Sequence, residues 1–185
     1  MGHIVRRVQD NEYSKYRKHL ISLDAASRHL RFGFTVNDDT LNKLCDSWEA
    51  DHPHHILFCV ENSNLEFVAV GHIAITDGME LAFSVLKETQ GTGMGDALMK
   101  RCIQWCRVNN KLSGCMVCLS HNRAIRHLCT KHGIHFTSEL GESEANITLD
   151  SPNITTYVNE ATDSNMGAFD YLVKRTRLPW TYLPG

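Results

Sequence analysis

Long hydrophobic runs and an excess of positive charge are both missing from this sequence of 185 residues. No apolar run approaches the roughly 20 residues that span a bilayer. The formal net charge at pH 7 is −2, whereas nonspecific nucleic-acid binding needs a basic face. The N-terminal residues also lack the apolar core of a signal peptide. We therefore expect a cytoplasmic protein with no nucleic-acid or membrane partner.

The pattern for a disulfide framework or a metal site is equally weak. The seven cysteines are odd in number, and no export signal accompanies them. Cys115 and Cys118 form a C-x-x-C pair, but they fall in a predicted strand, where positions three apart face opposite sides. The cluster of His52, His54 and His55 has no carboxylate spaced to share a helical face with it. We predict buried free thiols, solvent-exposed loop histidines and no bound metal.

The composition is ordinary for a globular protein, with 42% hydrophobic and 22% charged residues. Periodicity predicts a strand, two helices, three strands, a glycine-rich loop that opens a helix, a further strand, a short helix and a hairpin. We expect residues 1–150 to form one mixed α/β domain. Residues 151–185 are expected to be a helical or irregular extension packed on the same domain.

The glycine-rich loop Gln90-Gly91-Thr92-Gly93-Met94-Gly95 lies between a predicted strand and a predicted helix. A Walker A loop requires a Lys-Ser/Thr pair that is absent here, and the Rossmann spacing G-x-G-x-x-G/A fails because its sixth place is Asp96 or Leu98. Glycines let successive N–H groups converge, and a helix N-terminus favours an anion. The loop therefore suits a diphosphate, although a ligand-free turn explains the glycines equally well.

Two motifs together resemble the GCN5-related N-acetyltransferase (GNAT) family. The first is Q-x-x-G-x-G at the loop. The second is N-x-x-A-x-x-L-Y-x-K-x-G-F, which "SHNRAIRHLCTKHGI" matches in register at Asn122, Leu128, Lys131 and Gly133. The segment "SRHLRFGF" is also similar to bacterial members related to protein-lysine acetyltransferases. The resemblance implies a GNAT-like acyl-CoA N-acyltransferase fold, an α+β mixed sheet of about six to seven strands flanked by about four helices.

The resemblance implies acetyl-CoA as the acyl donor. The diphosphate of CoA would bind the backbone amides from Gln90 to Asp96, and the pantetheine arm would pair with the strand before the loop. Asn122 would contact the pantetheine or, as an alternative, cap a helix. The implied cofactor-binding residues are Phe83, Val85, Gln90, Gly91, Thr92, Gly93, Met94, Gly95, Asp96 and Asn122.

Three residues are candidates for the chemistry. Glu80 matches the position at which several family members carry a general base, and the alternative is a solvent-exposed glutamate at the edge of a strand. The backbone N–H of Ser84 would polarise the thioester carbonyl. Cys129 replaces the tyrosine that many family members use to protonate the leaving thiolate, and a thiol is shorter than a phenol. The identity of the general acid therefore stays open.

The predicted function is transfer of an acetyl group from acetyl-CoA to a primary amine of a protein or small molecule, by direct attack with help from a general base. The alternative is a noncatalytic acyl-CoA-binding regulatory module. A third reading is an interaction protein that uses the aromatic tail "RLPWTYLPG" as a contact. The sequence leaves both a monomer and a homodimer open.

Overall fold

The fold is known from a computed structural model that describes residues 2–76, 78–139 and 142–179, with the backbone alone for 136–139 and 142–143. Seven strands form one mixed sheet in the order β1-β2-β3-β4-β5-β7-β6. All neighbouring strands are antiparallel except β4 and β5, which run parallel. The strands are β1 (Arg6–Arg7), β2 (His55–Glu61), β3 (Phe67–Ile75), β4 (Met79–Val85), β5 (Ser113–Leu119), β6 (His135–Glu139) and β7 (Glu142–Thr148).

Six α-helices lie in the described part of the chain, two more than the four expected around the sheet. One of them is the long helix of the expected C-terminal extension. The other follows the first helix directly, because Asp24 caps its start through a bond from the Ser27 N–H (2.7 Å) and Gly33 ends it at φ +79°. The helices are α1 (Tyr13–Ser22), α2 (Ala25–Phe32), α3 (Asp38–Ala50), α4 (Met94–Val108), α5 (Arg123–Lys131) and α6 (Ile154–Arg177).

The sheet separates two hydrophobic clusters. On one face, buried side chains of α4 such as Leu98 and Cys102 pack against β2, β3 and β4. Gly71 of β3 lets α4 approach closely, since a Cβ there would lie 2.8 Å from the Cys102 sulfur. On the other face, α1 and α3 pack through residues that include Tyr16 and Leu41, both fully buried. The predicted helical spacing of Tyr13, Tyr16 and Leu20 matches α1.

Strands β4 and β5 pair over only two residues at their start, Met79 with Gly114 and Glu80 with Cys115. Gly114 makes this contact possible, because a Cβ at that position would lie 2.1 Å from the Met79 carbonyl oxygen. Beyond Glu80 the two strands have no further paired residues in the described chain. The edge of β4 that faces β5 is therefore open over its second half, directly before the glycine loop.

Helix α6 docks on α4 and β1. Arg101 of α4 forms an ion pair with Glu160 and a 2.9 Å hydrogen bond to Ser164. Gly167 lies against Arg6, where a Cβ would come within 2.8 Å of the Arg6 Cβ. The division of the chain at residue 150 stays a prediction. The tail from Trp180 to Gly185, including most of the proposed aromatic contact, lies outside the described residues.

The cysteines are free thiols, six buried and one, Cys115, of intermediate exposure. The prediction of small buried thiols is thus confirmed for six of them. Within the described ranges, no three His, Cys, Asp or Glu side chains are grouped to hold a metal ion. No described helix combines the length and the hydropathy that crossing a membrane requires.

Candidate active site

A groove of about 550 Å³ runs along the open edge of β4 to the glycine loop. Helix α2 and helix α5 form its other walls. The sequence-predicted residues that line it are Phe83, Ser84, Val85, Gln90, Gly91, Gly93, Met94, Gly95, Asp96 and Asn122. Three predicted residues, Glu80, Thr92 and Cys129, do not line it.

The glycine loop presents unpaired backbone amides to one end of this groove. Gly93 is the N-cap of α4 at φ +91°, and Gly91 is at φ +76°. The Ala97 N–H makes the 3.1 Å bond to the Gly93 carbonyl, so the amides of the three preceding residues have no partner within the helix. Among the residues that the structure describes, no side chain caps the start of α4. A helix start of this kind attracts negative charge.

Asp96 lies in the first turn of α4, where an acidic side chain would repel a bound phosphate. Its carboxylate contacts Lys131 Nζ at 2.9 Å and His132 Nε2 at 2.9 Å. The bond from Lys131 and the further bond from His132 hold the pKa of Asp96 below its ordinary value. The Lys131 ammonium thus balances the carboxylate charge beside the loop amides, and the contact with His132 helps to hold the carboxylate in place. Asp96 is occupied by these partners, and only its backbone N–H is available to an anion.

Gln90 connects the loop to α2, a contribution that the sequence motifs did not show. Its side-chain amide donates to the Val85 carbonyl (3.1 Å) and to the Ser27 hydroxyl (3.2 Å). Leu30 and Arg31 of the same helix also line the groove. The amphipathic pattern of "SRHLRF" was the available signal, since it predicts a helix with one face against the protein.

The pairing of β4 with β3 determines which backbone amides of β4 face the groove, and the Ser84 amide is not one of them. The Leu86 N–H donates to the Val68 carbonyl at 2.9 Å, and Ser84 pairs with Val70 in the same register. Because hydrogen-bonded pairs alternate along antiparallel strands, Ser84 directs its N–H toward β3. The prediction for the Ser84 amide is therefore wrong. The neighbouring amides of Phe83 and Val85 point to the open edge instead.

The Ser84 side chain has a different partner. Its hydroxyl lies 2.8 Å from His19 Nε2, and His19 Nδ1 lies 2.9 Å from the Phe67 carbonyl oxygen. A carbonyl only accepts, so Nδ1 carries the proton and Nε2 accepts from the serine hydroxyl. Burial lowers the pKa of His19 to about 4. A neutral histidine thus ties α1 to the strand that forms the groove.

Glu80 is exposed at the last paired position of β4, where β4 and β5 part. It pairs across the sheet with Ala74 and shares a face with Ser84, because side chains alternate along a strand. Three residues of extended chain place its Cα about 10 Å from that of Phe83. A carboxylate at this distance can reach a group beside Phe83 through a water molecule.

Cys129 is fully buried on the inner side of α5. Its sulfur lies 3.7 Å from the Met116 sulfur, and burial raises the pKa of the thiol to about 12. A group in this position has no open path to a leaving thiolate in the groove. Asn122, by contrast, lines the groove and also caps α5, since its side chain accepts from the Ile125 N–H at 3.3 Å.

A buried imidazole pair lies on the other face of the sheet from α4. His72 Nδ1 is 3.3 Å from the Tyr16 hydroxyl and 3.4 Å from an Arg31 nitrogen. Arginine only donates, so Nδ1 accepts and the Nε2–H donates to His55 Nδ1 at 2.9 Å. The side chain of His55 is 8% exposed, and the prediction of a solvent-exposed loop histidine is wrong for it. The cluster combines side chains from four separate segments of the chain, so no local sequence motif predicts it.

Known protein structures share this fold. The GNAT domain of S. lividans PAT aligns with a TM-score of 0.65 at 16% identity, over 78% of this chain and 89% of that one. The Salmonella typhimurium protein yncA, solved with its cofactor acetyl-CoA, aligns with a TM-score of 0.58 at 18% identity, over 81% of this chain and 97% of that one. Ribosomal-protein-alanine N-acetyltransferase from Brucella melitensis aligns with a TM-score of 0.60 at 14% identity, over 78% of this chain and 99% of that one. No curated protein sequence is significantly similar to this chain.

The fold and the groove define the acyl-CoA-dependent N-acetyltransferase class, with loop amides at one end of the groove and an open strand edge along it. The family model for the acetyltransferase (GNAT) family matches residues 22–134. The chain belongs to this family. Acetyl-CoA is the acyl donor of the family and fits the groove's chemistry, because unpaired N–H groups suit its diphosphate and the open β4 edge suits its amide-containing arm.

Proposed function

We propose that the protein transfers the acetyl group of acetyl-CoA directly to a primary amine of a protein or small molecule. The supporting observation is the continuity of the open β4 edge with the loop amides. Bound along this path, the diphosphate contacts the amides between Gly91 and Asp96. The pantetheine arm pairs with Phe83 and Val85, which brings the thioester to the second half of β4.

The chemistry has two demands, a neutral amine and a stabilised oxyanion. Deprotonating a lysine of pKa near 10.4 costs roughly 4.6 kcal/mol at pH 7. In this proposal Glu80 accepts the amine proton, directly or through water, as the nitrogen attacks the thioester carbonyl carbon. The Phe83 N–H donates to the developing oxyanion. The C–S bond then breaks, and the CoA thiolate takes its proton from water instead of from Cys129.

The proposal is tested by release of free CoA from acetyl-CoA in the presence of amines. Polyamines, free lysine and peptides with an N-terminal amine form the panel, and mass spectrometry identifies the acetylated product. CoA release that requires one class of amine supports the proposal and names the acceptor class. Binding of acetyl-CoA without release by any amine would favour the noncatalytic module.

Glu80→Gln tests the base while keeping the side-chain size. Turnover should fall by about 10²–10⁴, the usual range for a general base, while the affinity for acetyl-CoA holds. Activity should recover partly at high pH, where the amine is already neutral. Glu88→Gln, which changes another exposed glutamate beyond β4, is the control. Wild-type turnover by Glu80→Gln at neutral pH would remove Glu80 from the mechanism.

A further inference from the structure

Helix α6 presents an exposed apolar seam that nothing in the described chain covers. Its members recur at alternating spacings of four and three residues, the period at which two helices pack side by side. The seam residues are Ile154, Val158, Ala161, Asn165, Ala168 and Leu172, all exposed. Tyr157 and Phe169 flank it and are 51% and 70% exposed. Three of the seam positions carry large apolar side chains, at 83%, 57% and 56% exposure.

The opposite face of α6 already has its partners in the fold. Glu160 and Ser164 bind Arg101, and Gly167 is buried on β1. Lys174 donates to the Glu61 carbonyl at 3.1 Å. The helix is therefore held by one face, and its seam is fixed in orientation toward the outside. A rise of 1.5 Å per residue gives a seam about 27 Å long from Ile154 to Leu172.

We propose that the seam is the interface of a homodimer, in which α6 of one copy packs antiparallel on α6 of a second copy. The seam is complementary to a second copy of itself. When two copies are centred at the level of Asp163, Leu172 of one lies opposite Ile154 of the other. Ala168 lies opposite Val158, so a small residue receives a larger one. Each contact occurs twice, because the pair has twofold symmetry.

In the same register the polar residue of the seam faces a small one. Asn165 lies opposite Ala161. A single asparagine in an apolar seam selects one register over shifted ones at some cost in stability. The small residues at 161 and 168 allow the two helices to approach closely.

Charge at the two ends supports the antiparallel direction. Arg175 and Arg177 are exposed at the C-terminal end of α6. Asp150 is exposed shortly before the helix begins, at the end where these arginines of a second copy emerge. Antiparallel packing also sets the positive N-terminus of each helix dipole beside the negative C-terminus of the other. Parallel packing would bring the arginines of both copies together.

The test is the mass of the full chain in solution, measured by light scattering or sedimentation equilibrium at about 1–100 µM, a span that covers micromolar association. We expect wild type at twice 21.0 kDa. Leu172→Asp and, as a second variant, Val158→Asp should each weaken the dimer about 100-fold, tenfold for each of the two symmetric copies. Both residues are exposed in the single chain, so circular dichroism should show unchanged folding.

Met166→Asp is the matched control, because Met166 is 51% exposed on the same helix but lies off the seam. It should remain dimeric. The antiparallel direction of the two helices is tested with the variants Ala161→Cys and Asn165→Cys. A mixture of the two variants should form an intermolecular disulfide, and each variant by itself should form much less of it. A monomeric wild type, or a dimer that Leu172→Asp and Val158→Asp leave intact, overturns the proposal. Cross-linking of each cysteine variant only to itself overturns the antiparallel register.

Discussion

Buried His19 predicts a loss of stability in mild acid. Its pKa falls from an ordinary 6.5 to about 4 because burial disfavours the charged ring, against a smaller opposing effect of the Phe67 carbonyl. In the unfolded chain the ring binds a proton near pH 6.5, whereas the folded protein resists protonation until about pH 4. The stabilising contribution is therefore complete above pH 6.5 and is lost progressively as the pH falls toward 4.

The magnitude follows from the size of the pKa difference. A shift from 6.5 to about 4 corresponds to about 3 kcal/mol, at 1.36 kcal/mol for each pKa unit. His19→Asn removes the titration and keeps a donor for the Phe67 carbonyl. The free energy of unfolding of the variant should depend less steeply on pH between 7 and 4 than that of wild type, by about this amount. His55 and His72, whose pKa values are also lowered by burial, contribute equally to both proteins.

Urea unfolding at intervals of half a pH unit, followed by circular dichroism, measures this difference. His121→Asn is the control, because it removes an exposed histidine. Acetyl-CoA affinity should fall in the same acid range, since His19 holds α1 on Ser84 at the groove. Parallel pH curves for wild type and His19→Asn would refute the reasoning.

Two further predictions concern buried contacts. The rate of acetyl transfer by Cys129→Ala should stay within about tenfold of the wild-type rate, or roughly 1.4 kcal/mol of activation barrier, because the buried Cys129 thiol does not reach the groove. A loss of rate near 10³, with the affinity for acetyl-CoA unchanged, would identify the thiol as the general acid. Gly114→Ala should lower the free energy of unfolding by about 1–3 kcal/mol or more, since its Cβ meets the Met79 carbonyl at 2.1 Å, whereas Gly78→Ala enters open space. Equal urea midpoints for these two alanine variants would contradict the second prediction.

The order of elements and the position of the glycine loop were predictable because their signals are local. Hydrophobic periodicity predicted α1 and α3, and the glycine spacing of residues 91–95 predicted where α4 begins. Two motifs at family spacing then predicted the GNAT fold, which the family match confirms. The role of each of those loop residues in binding acetyl-CoA stays a prediction.

The features that the sequence did not predict depend on contacts between distant segments. Whether Ser84 or Phe83 turns its amide to the groove depends on how β4 pairs with β3, and a shift of one residue reverses the answer. His55 is buried against His72 of β3, which in turn contacts Tyr16 of α1. Cys129 falls at a family position, but only packing against Met116 shows that its sulfur faces the core.

The central claim, that the groove binds acetyl-CoA through the loop amides, is tested most directly by thermal unfolding with ligand. At 100 times its dissociation constant, acetyl-CoA should add about 2.7 kcal/mol and raise the Tm by about 5–10 °C. Gly93→Glu should abolish the rise by bulk and like charge, while Gly78→Glu in the β3–β4 turn should keep it. No rise with acetyl-CoA, or a rise with NAD in its place, would contradict the account.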